Sequence, residues 1–508
     1  MLNSTLDSLD DWNNINWKLV NKEVTKLKSK IWKARKFQEF KKLRNYQKLI
    51  VHSSHNILFS IRKVTQQNTG SKTEGIDEEL FTTPKDRLEL FFELKKLNLN
   101  NYTPLATKRI YIPKPDGRQR PIGIPTIRDR VIQQIVKNAL EPEWESIFEP
   151  SSYGFRPSRS VNDAINRLFL IFNSKNSRQW IVDADITGCF DNIDHNYLLN
   201  QIKQFPYKGI ISKWLKSGII HENVFFENEE FGTPQGSIIS PLLSNIALHG
   251  MESELGVKLV NVAKHYVKTG SRSFVRYADD FVVICYTKED AEKVIQELGP
   301  ILSKRGLSLS AAKTNIKHIT EGFDFLGFNI RREPQDGFAR DYVFIKNLND
   351  SNFLINYEKS LIIIKPSDKS IKNFKTSIKE TFDKFKGDKA GIMIKELNSK
   401  IRGWAQSKYH WHCNRTFHKL DSYLFNLQIR WMKRMHPSKN WSWLVAKYYK
   451  HKIDGRINNK WVFHANLSET PGKIIDLDLL QLKWFPHTDW VMLAHSKNPL
   501  NKEDYEYF

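Results

Sequence analysis

Two acidic residues set side by side between two apolar runs constrain this chain more than any other feature in it. Phe274-Val275 on one side of Tyr277-Ala278-Asp279-Asp280, and Phe281-Val282-Val283-Ile284 on the other, read as paired β-strands with the acids at the turn between them. Neighbouring carboxylates repel. Such a pair is tolerated most readily where a hard divalent cation, bound through oxygen, neutralises it. That makes it half of a Mg²⁺ site for phosphoryl transfer. Taken alone, however, an Asp-Asp turn is more often simply solvated, because Asp is an ordinary turn former.

A site for two cations needs a further carboxylate delivered from another strand. Trp180-Ile181-Val182-Asp183-Ala184-Asp185-Ile186 offers one, and strand alternation places Asp183 and Asp185 on the same face, so periodicity does not choose between them. From about residue 105 to 330, strand-like and helix-like patterns alternate. Pro113-Lys114-Pro115-Asp116-Gly117 and Gly232-Thr233-Pro234-Gln235-Gly236 punctuate them, which predicts a mixed α/β core. Residues 16–62 read as basic amphipathic helix, with Trp17, Val20, Val24, Leu27 and Ile31 at three- and four-residue spacing and a polar face suited to phosphates. A polar stretch over 66–73 then reads as loop. Beyond about 350 the pattern is mainly helical and rich in Lys, Trp and Tyr.

Charge narrows the partner. Lys and Arg outnumber Asp and Glu by 79 to 56, a net +23, and a surplus spread along 508 residues points to a polyanion, nucleic acid first. Cys189, Cys285 and Cys413 lie far apart, so no disulfide framework or Cys-x-x-Cys zinc site can be built; His410, His412, Cys413 and His418 also lack zinc-ligand spacing. The first eleven residues are polar and acidic, and no segment stays apolar and uncharged for the roughly 18 residues a membrane span requires. The expectation is a protein that is neither secreted nor membrane-spanning, placed in a bacterial cytoplasm or, if organelle-encoded, in a matrix or stroma.

Asp185 with Phe190 five residues later, Tyr277-Ala278-Asp279-Asp280, Pro234-Gln235-Gly236 and Lys313 together resemble the palm of a reverse transcriptase. More narrowly, Arg118-Gln119-Arg120-Pro121-Ile122-Gly123-Ile124-Pro125, Tyr153-Gly154-Phe155-Arg156-Pro157, Cys189-Phe190-Asp191-Asn192-Ile193-Asp194-His195 and Phe323-Asp324-Phe325-Leu326-Gly327-Phe328 resemble the group II intron-encoded maturase family. So do Arg402-Gly403-Trp404-Ala405, Phe417-His418-Lys419-Leu420-Asp421 and the basic run from Arg430 to Pro437, which are similar to its thumb, or X, domain. The likeness covers nearly the whole chain.

The resemblance implies an α/β (α+β) right-hand polymerase fold: a basic helical N-terminal extension over 1–75, fingers and palm over 76–340, a helical thumb/X domain over 341–465 and a short DNA-binding-like segment over 466–508. It implies that Asp185 and Asp279 hold two Mg²⁺ ions, with Asp280 completing the acidic cluster and Lys313 as general acid for the pyrophosphate leaving group. Lys114 and Arg120 would grip the dNTP triphosphate. Phe190 would exclude a 2′-OH, Gln235 would pack near the sugar, and Gly236 would admit close backbone approach. Arg156 and Arg159 would touch the template, with salt-bridge partners as their other reading.

The implied activity is RNA-directed DNA synthesis from dNTPs on an RNA template with a DNA primer, joined to binding and splicing of group II intron RNA during intron mobility. The alternatives are a group II-like reverse transcriptase without an intron, serving defence or repair, and an RNA-binding splicing factor with a vestigial polymerase. Oligomeric state stays open. Three departures stand out: Ser237 where the family usually has a second Gly, Thr187 where Lys is common, and no cysteine pairs of an HNH endonuclease after Asn498-Pro499-Leu500-Asn501.

Overall fold

The computed structural model describes residues 11–113, 117, 119–173, 178–222, 224–227, 232–257, 259–262, 265–268, 270–334, 360–385, 390–455, 457–470, 473–491, 497–501 and 504. The chain forms two compact units. The first comprises Met1–Arg167, Arg178–Ile316 and Leu493–Phe508, the second Leu168–Ser177 and Lys317–Met492.

At the centre of the first unit lies the helix Ile127–Glu145, nearly all of whose residues are buried. Thr126 caps it by accepting the Asp129 N–H through its side chain, leaving the Asp129 carboxylate to accept from Trp214 Nε1 at 3.0 Å and Tyr102 Oη at 3.1 Å. Against it pack Trp17–Lys36, Phe40–Val51 and Ser54–Arg62. The amphipathic run over 16–62 is therefore three helices rather than one. The chain reverses first at Gln38, which takes the left-handed region with φ +59°, and again after His52. No Gly or Pro marks either break. Val20, Val24 and Ile31 are buried as their spacing predicts. Polar groups are spent inside the same contact: Gln47 Nε2 donates to Glu143 at 2.6 Å, Arg44 pairs with Glu143 at 2.8 Å, and Asn138 Nδ2 donates to Asn56 at 2.7 Å. The stretch over 66–73 is short helical turns, Lys63–Gln67 and Thr69–Lys72, rather than open loop.

Two sheets position the chemistry. Thr107–Pro113 pairs antiparallel with Gln119–Ile124 and parallel with Ile219–His221, which continues into the edge strand Val224–Phe226. In the other sheet, Asp280–Cys285 lies between Trp180–Ala184 and Ser273–Tyr277, antiparallel to both. The helix Lys288–Ser303 covers it. The middle strand is buried and apolar on both faces from Phe281 to Cys285, as a strand covered on both sides requires.

The second unit is built on Asp368–Lys384, Ala390–Lys408 and Asn414–Met435, with Phe374, Ile378, Leu397, Ile401, Leu424 and Trp431 in its core. The sequence expectation of a mainly helical region holds only as far as Tyr448. Tyr449–Asp454, Ile457–Thr470 and Lys473–Asp478 form a three-stranded antiparallel sheet, turned at Gly455 with φ +55°. Burial in the middle strand does not alternate strictly: Val462 and Phe463 are both buried while Lys460 and Trp461 both face solvent. The expected boundary at 340/341 lies outside the described residues. The segment expected over 466–508 divides, its strand Lys473–Asp478 lying in the second unit and Leu493–Phe508 in the first.

Trp431 ties this unit together. It is fully buried, and its Nε1 donates to the Phe385 carbonyl at 2.6 Å. Trp431→Ala removes both the ring volume and the indole donor to that carbonyl, and is expected to cost about 3–5 kcal/mol, read as a lower urea midpoint for the transition of this unit.

Candidate active site

The acidic turn is a tight hairpin. Tyr277 pairs with Asp280, leaving Ala278 and Asp279 to make the reversal, and Ala278 sits in the left-handed region with φ +57°. A non-glycine residue held there costs on the order of 1 kcal/mol, so something must hold it. Arg276 does. Its guanidinium is wholly buried, and Nη1 donates to the Ala278 carbonyl at 3.2 Å and to Asn245 Oδ1 at 3.0 Å. Asn245 Nδ2 in turn donates to the Gly154 carbonyl at 2.8 Å. The backbone of Arg276 exchanges hydrogen bonds with Tyr153 N–H and the Ser151 carbonyl, each at 2.9 Å. Gly154 thereby lies so close that a Cβ on it would meet Ala278 N at 2.3 Å.

Behind Arg276, Glu149 Oε2 lies 3.9 Å from its Nη2 and 2.8 Å from His249 Nδ1, while Glu149 Oε1 accepts the Gly250 N–H at 2.5 Å. Burial would raise the Glu149 carboxyl. The His249 ring, the Arg276 charge and the Gly250 amide outweigh it and hold the group down at about 2.

Asp185 arrives from the neighbouring strand. The register Asp183↔Val282, Ala184↔Phe281 leaves it one step further on, abreast of Asp280. Its carbonyl accepts Ser310 N–H at 2.8 Å, and Thr187 N–H donates to Ser308 at 3.0 Å, so the loop carrying Lys313 is tied to the same strand end. Lys313 Nζ forms an ion pair with Asp185 Oδ2. Burial raises the Asp279 carboxyl and the Asp185 charge adds to it, while Arg120 and Lys313 pull it back. Asp280 reaches solvent at the edge of the turn, yet the protein around its carboxylate, followed by the charges of Asp279, Asp185 and Asp183, pushes it up to about 6. Both Asp183 and Asp185 thus act on the cluster. Among the described residues no three such groups close into a ready-made metal cage, Asp185 being turned to Lys313.

The remaining candidates sort themselves. Phe190, half-buried, meets Phe155 edge-on at 6.1 Å. Gln235 donates to both Asp191 oxygens at 3.1 and 3.2 Å. Gly236, φ +116°, makes its close approach to the Gly123 carbonyl, which an added Cβ would meet at 2.6 Å. Arg120 is exposed on Gln119–Ile124 and acts on Asp279 through its charge. Lys114 lies outside the described residues.

Of the two readings of Arg156, the salt bridge is the one the structure contains. Its side chain is only 4% exposed; it pairs with Glu145 at 3.0 Å and donates to the Glu149 and Ser152 carbonyls at 2.8 and 2.7 Å, so it braces its loop. Arg159 is half-buried, and its Nη1 has no acceptor among the described residues. Ser237 is accommodated because its hydroxyl donates to Gln133 Oε1 at 2.8 Å. Sequence reasoning missed Arg276 and Asn245. The available signal was a charged residue in an otherwise apolar strand.

Profiles of three families align in chain order: the N-terminal domain of reverse transcriptase over residues 12–94, reverse transcriptase (RNA-dependent DNA polymerase) over 112–330, and the maturase-specific domain of group II introns over 371–449. Over 323 residues the chain is 33% identical to Protein YkfC of Escherichia coli (strain K12), covering 57% of this chain and 84% of that protein. The chain belongs to the group II intron-encoded reverse transcriptase and maturase family. It is 32% identical over 323 residues to the group II intron-encoded protein LtrA of Lactococcus lactis subsp. cremoris, covering 52% of this chain and 53% of LtrA, about half its length. Among solved structures, telomerase from Candida albicans aligns over 68% of this chain and 62% of its own at 13% identity and a TM-score of 0.36, too loose a likeness to bear on the site. The acidic turn thus lies within the span that matches the reverse transcriptase domain, whose chemistry generally depends on divalent metal. No described helix is long and apolar enough to cross a membrane.

Two outcomes follow for this palm. Asp280 titrates higher in the folded chain, about 6, than its ordinary 3.8, so the stability it contributes is full below about pH 4 and is lost as pH rises through 6. Asp280→Asn should therefore raise the thermal midpoint in EDTA at pH 8, with the gain shrinking toward pH 4. Gly154→Ala drives a Cβ into backbone that cannot yield, and is expected to cut dNTP incorporation at least tenfold while RNA binding in a filter assay is kept.

Proposed function

We propose that this polymerase extends a DNA primer along RNA at the Asp185, Asp279 and Asp280 cluster, and that it does so on the group II intron RNA bound through its maturase domain, assisting splicing and copying the intron during mobility. The observation that carries the catalytic assignment is the crowding of these carboxylates: each raises the cost of ionising the next, which is the condition a bound cation relieves. Two Mg²⁺ ions, when bound, would supply positive charge to stabilise the transferring phosphoryl group. Asp185 and Asp279 would hold them, with Asp280 in support.

The chain's own groups do the rest. Arg120, already acting on Asp279, presents a guanidinium fork to the triphosphate, with Lys114 as the partner that the sequence motif supplies. Phe190 and Phe155 wall the place where a 2′-OH would go, and Gln235, steadied by Asp191, faces the sugar. Lys313 leaves Asp185 when substrate and cations arrive and stands ready to donate a proton to the departing pyrophosphate. Of the two arginines Arg159 is left as the template contact, since Arg156 is engaged by Glu145.

The test is primer extension on an RNA template with Mg²⁺ and dNTPs, paired with sequencing of RNA that copurifies. Asp279→Ala should abolish cDNA synthesis and leave RNA binding largely intact, because the positive surplus lies well beyond the turn. No incorporation by the unaltered chain would sink the polymerase reading, and equal loss of both properties in Asp279→Ala would sink the division into two functions. Copurified RNA without an intron would favour a stand-alone enzyme of defence or repair.

A further inference from the structure

Three tryptophans near the sheet of the second unit are left open to solvent while Trp431 beside them is buried. Trp441 is 41% exposed and Trp461 44%, with Trp443 close behind. Trp441 and Trp461 are not loose. Their rings lie 6.3 Å apart and within 25° of parallel. Behind Trp461 stand Tyr449, edge-on at 5.5 Å, and Phe425, edge-on at 6.2 Å. Its own N–H donates to Asn459 Oδ1 at 2.9 Å, and its carbonyl accepts from Gln481 at 3.2 Å. Trp441 begins the helix Trp441–Tyr448, whose cap Asn440 accepts the Trp443 N–H at 2.9 Å.

Cations gather on the neighbouring Trp443 rather than on the pair itself. Lys439 and Lys447 hold their ammonium groups 5.3 and 5.1 Å from the Trp443 ring, and Lys460, next to Trp461, is exposed. Two fixed, nearly parallel indoles at the surface suit a flat π-system, and the lysines suit a polyanion. An unpaired nucleobase on its phosphate backbone is both at once. An acidic protein would use the lysines but has no need of parallel rings. Double-stranded RNA keeps its base faces inside the stack.

We propose that Trp441 and Trp461 form a stacking platform for unpaired bases of RNA, a contact separate from the palm and independent of sequence. It rests on the RNA-binding reading above only for the identity of the polyanion. Phosphates lie toward Lys439, Lys447 and Lys460, and the bases lie on the indoles.

Ultraviolet cross-linking of the full chain to a short unstructured RNA carrying 5-iodouridine tests this directly, since that base couples to aromatic rings stacked on it. Adducts are expected on the tryptic peptides that carry Trp441 and Trp461. Trp461→Ala should weaken binding of the same RNA roughly 5- to 100-fold, with the slope of affinity against salt unchanged because no charge is removed. Trp461→Phe should recover most of the loss. Trp441→Leu, at an exposed helix start, serves if Trp461→Ala proves unstable in thermal unfolding. Adducts confined to other peptides, or an affinity within about twofold in both variants, would overturn the platform. Equal cross-linking of single-stranded DNA at the two tryptophans would overturn its assignment to RNA. Failure of the unaltered chain to bind any RNA would bring down the proposed function itself, so the two failures are told apart.

Discussion

Repulsion among Asp183, Asp185, Asp279 and Asp280 is the constraint around which the first unit is arranged. Carboxylates brought together resist being held together, and the turn that carries two of them is itself in a left-handed conformation that Ala does not favour. Neither cost can be met from the turn's own residues. The strain is met from below, where the buried Arg276 guanidinium bonds the Ala278 carbonyl, and the repulsion is eased from the side by Arg120 and Lys313. A buried Arg and Glu149 add little net stability, because removing two charges from water costs about as much as their attraction returns. Their value here is geometric: the pair fixes one position for the Ala278 carbonyl and so one position for the acids.

The same logic explains why arginines that look alike in the sequence have unlike tasks. Arg120 stands on an exposed strand and acts outward, on Asp279 and on whatever anion approaches it. Arg156 and Arg276 face inward, each matched to a buried carboxylate, and shape the loop and the turn that meet at Gly154. Gly154 and Gly236 are places where backbone passes backbone without room for a side chain, one against the acidic turn and the other against the Gly123 strand. They bring the acids, the Gln235 loop and the Arg120 strand to a common surface.

The second unit solves a different problem. It buries Trp431 and Leu424 against helices, stacks Trp404 on Phe374 at 4.6 Å, and sets Lys408 over the Phe328 ring while donating to the Gly327 carbonyl at 3.0 Å. Burial pulls the Lys408 ammonium down to about 8. Beside a core so well supplied with aromatic rings, Trp441, Trp443 and Trp461 are left open to solvent.

By itself the sequence determined whatever depends on neighbours along the chain. Uninterrupted apolar runs around an acidic turn made the Asp279 hairpin legible, alternation put Asp183 and Asp185 on one strand face, three- and four-residue spacing made Val20, Val24 and Ile31 core, and the family resemblance named the activity from short motifs of fixed order and spacing. Only the tertiary structure decided what depends on neighbours across it. The helix breaks at Gln38 and His52 carry no Gly or Pro, so packing on Ile127–Glu145 sets them. The strands after Tyr448 form because three segments pair, not because any one of them demands it. Arg156 became a brace because Glu145, eleven residues away on another element, is where its charge is neutralised. A side chain's local pattern specifies that it is charged; which way the charge points is set by the partner that folding brings to it.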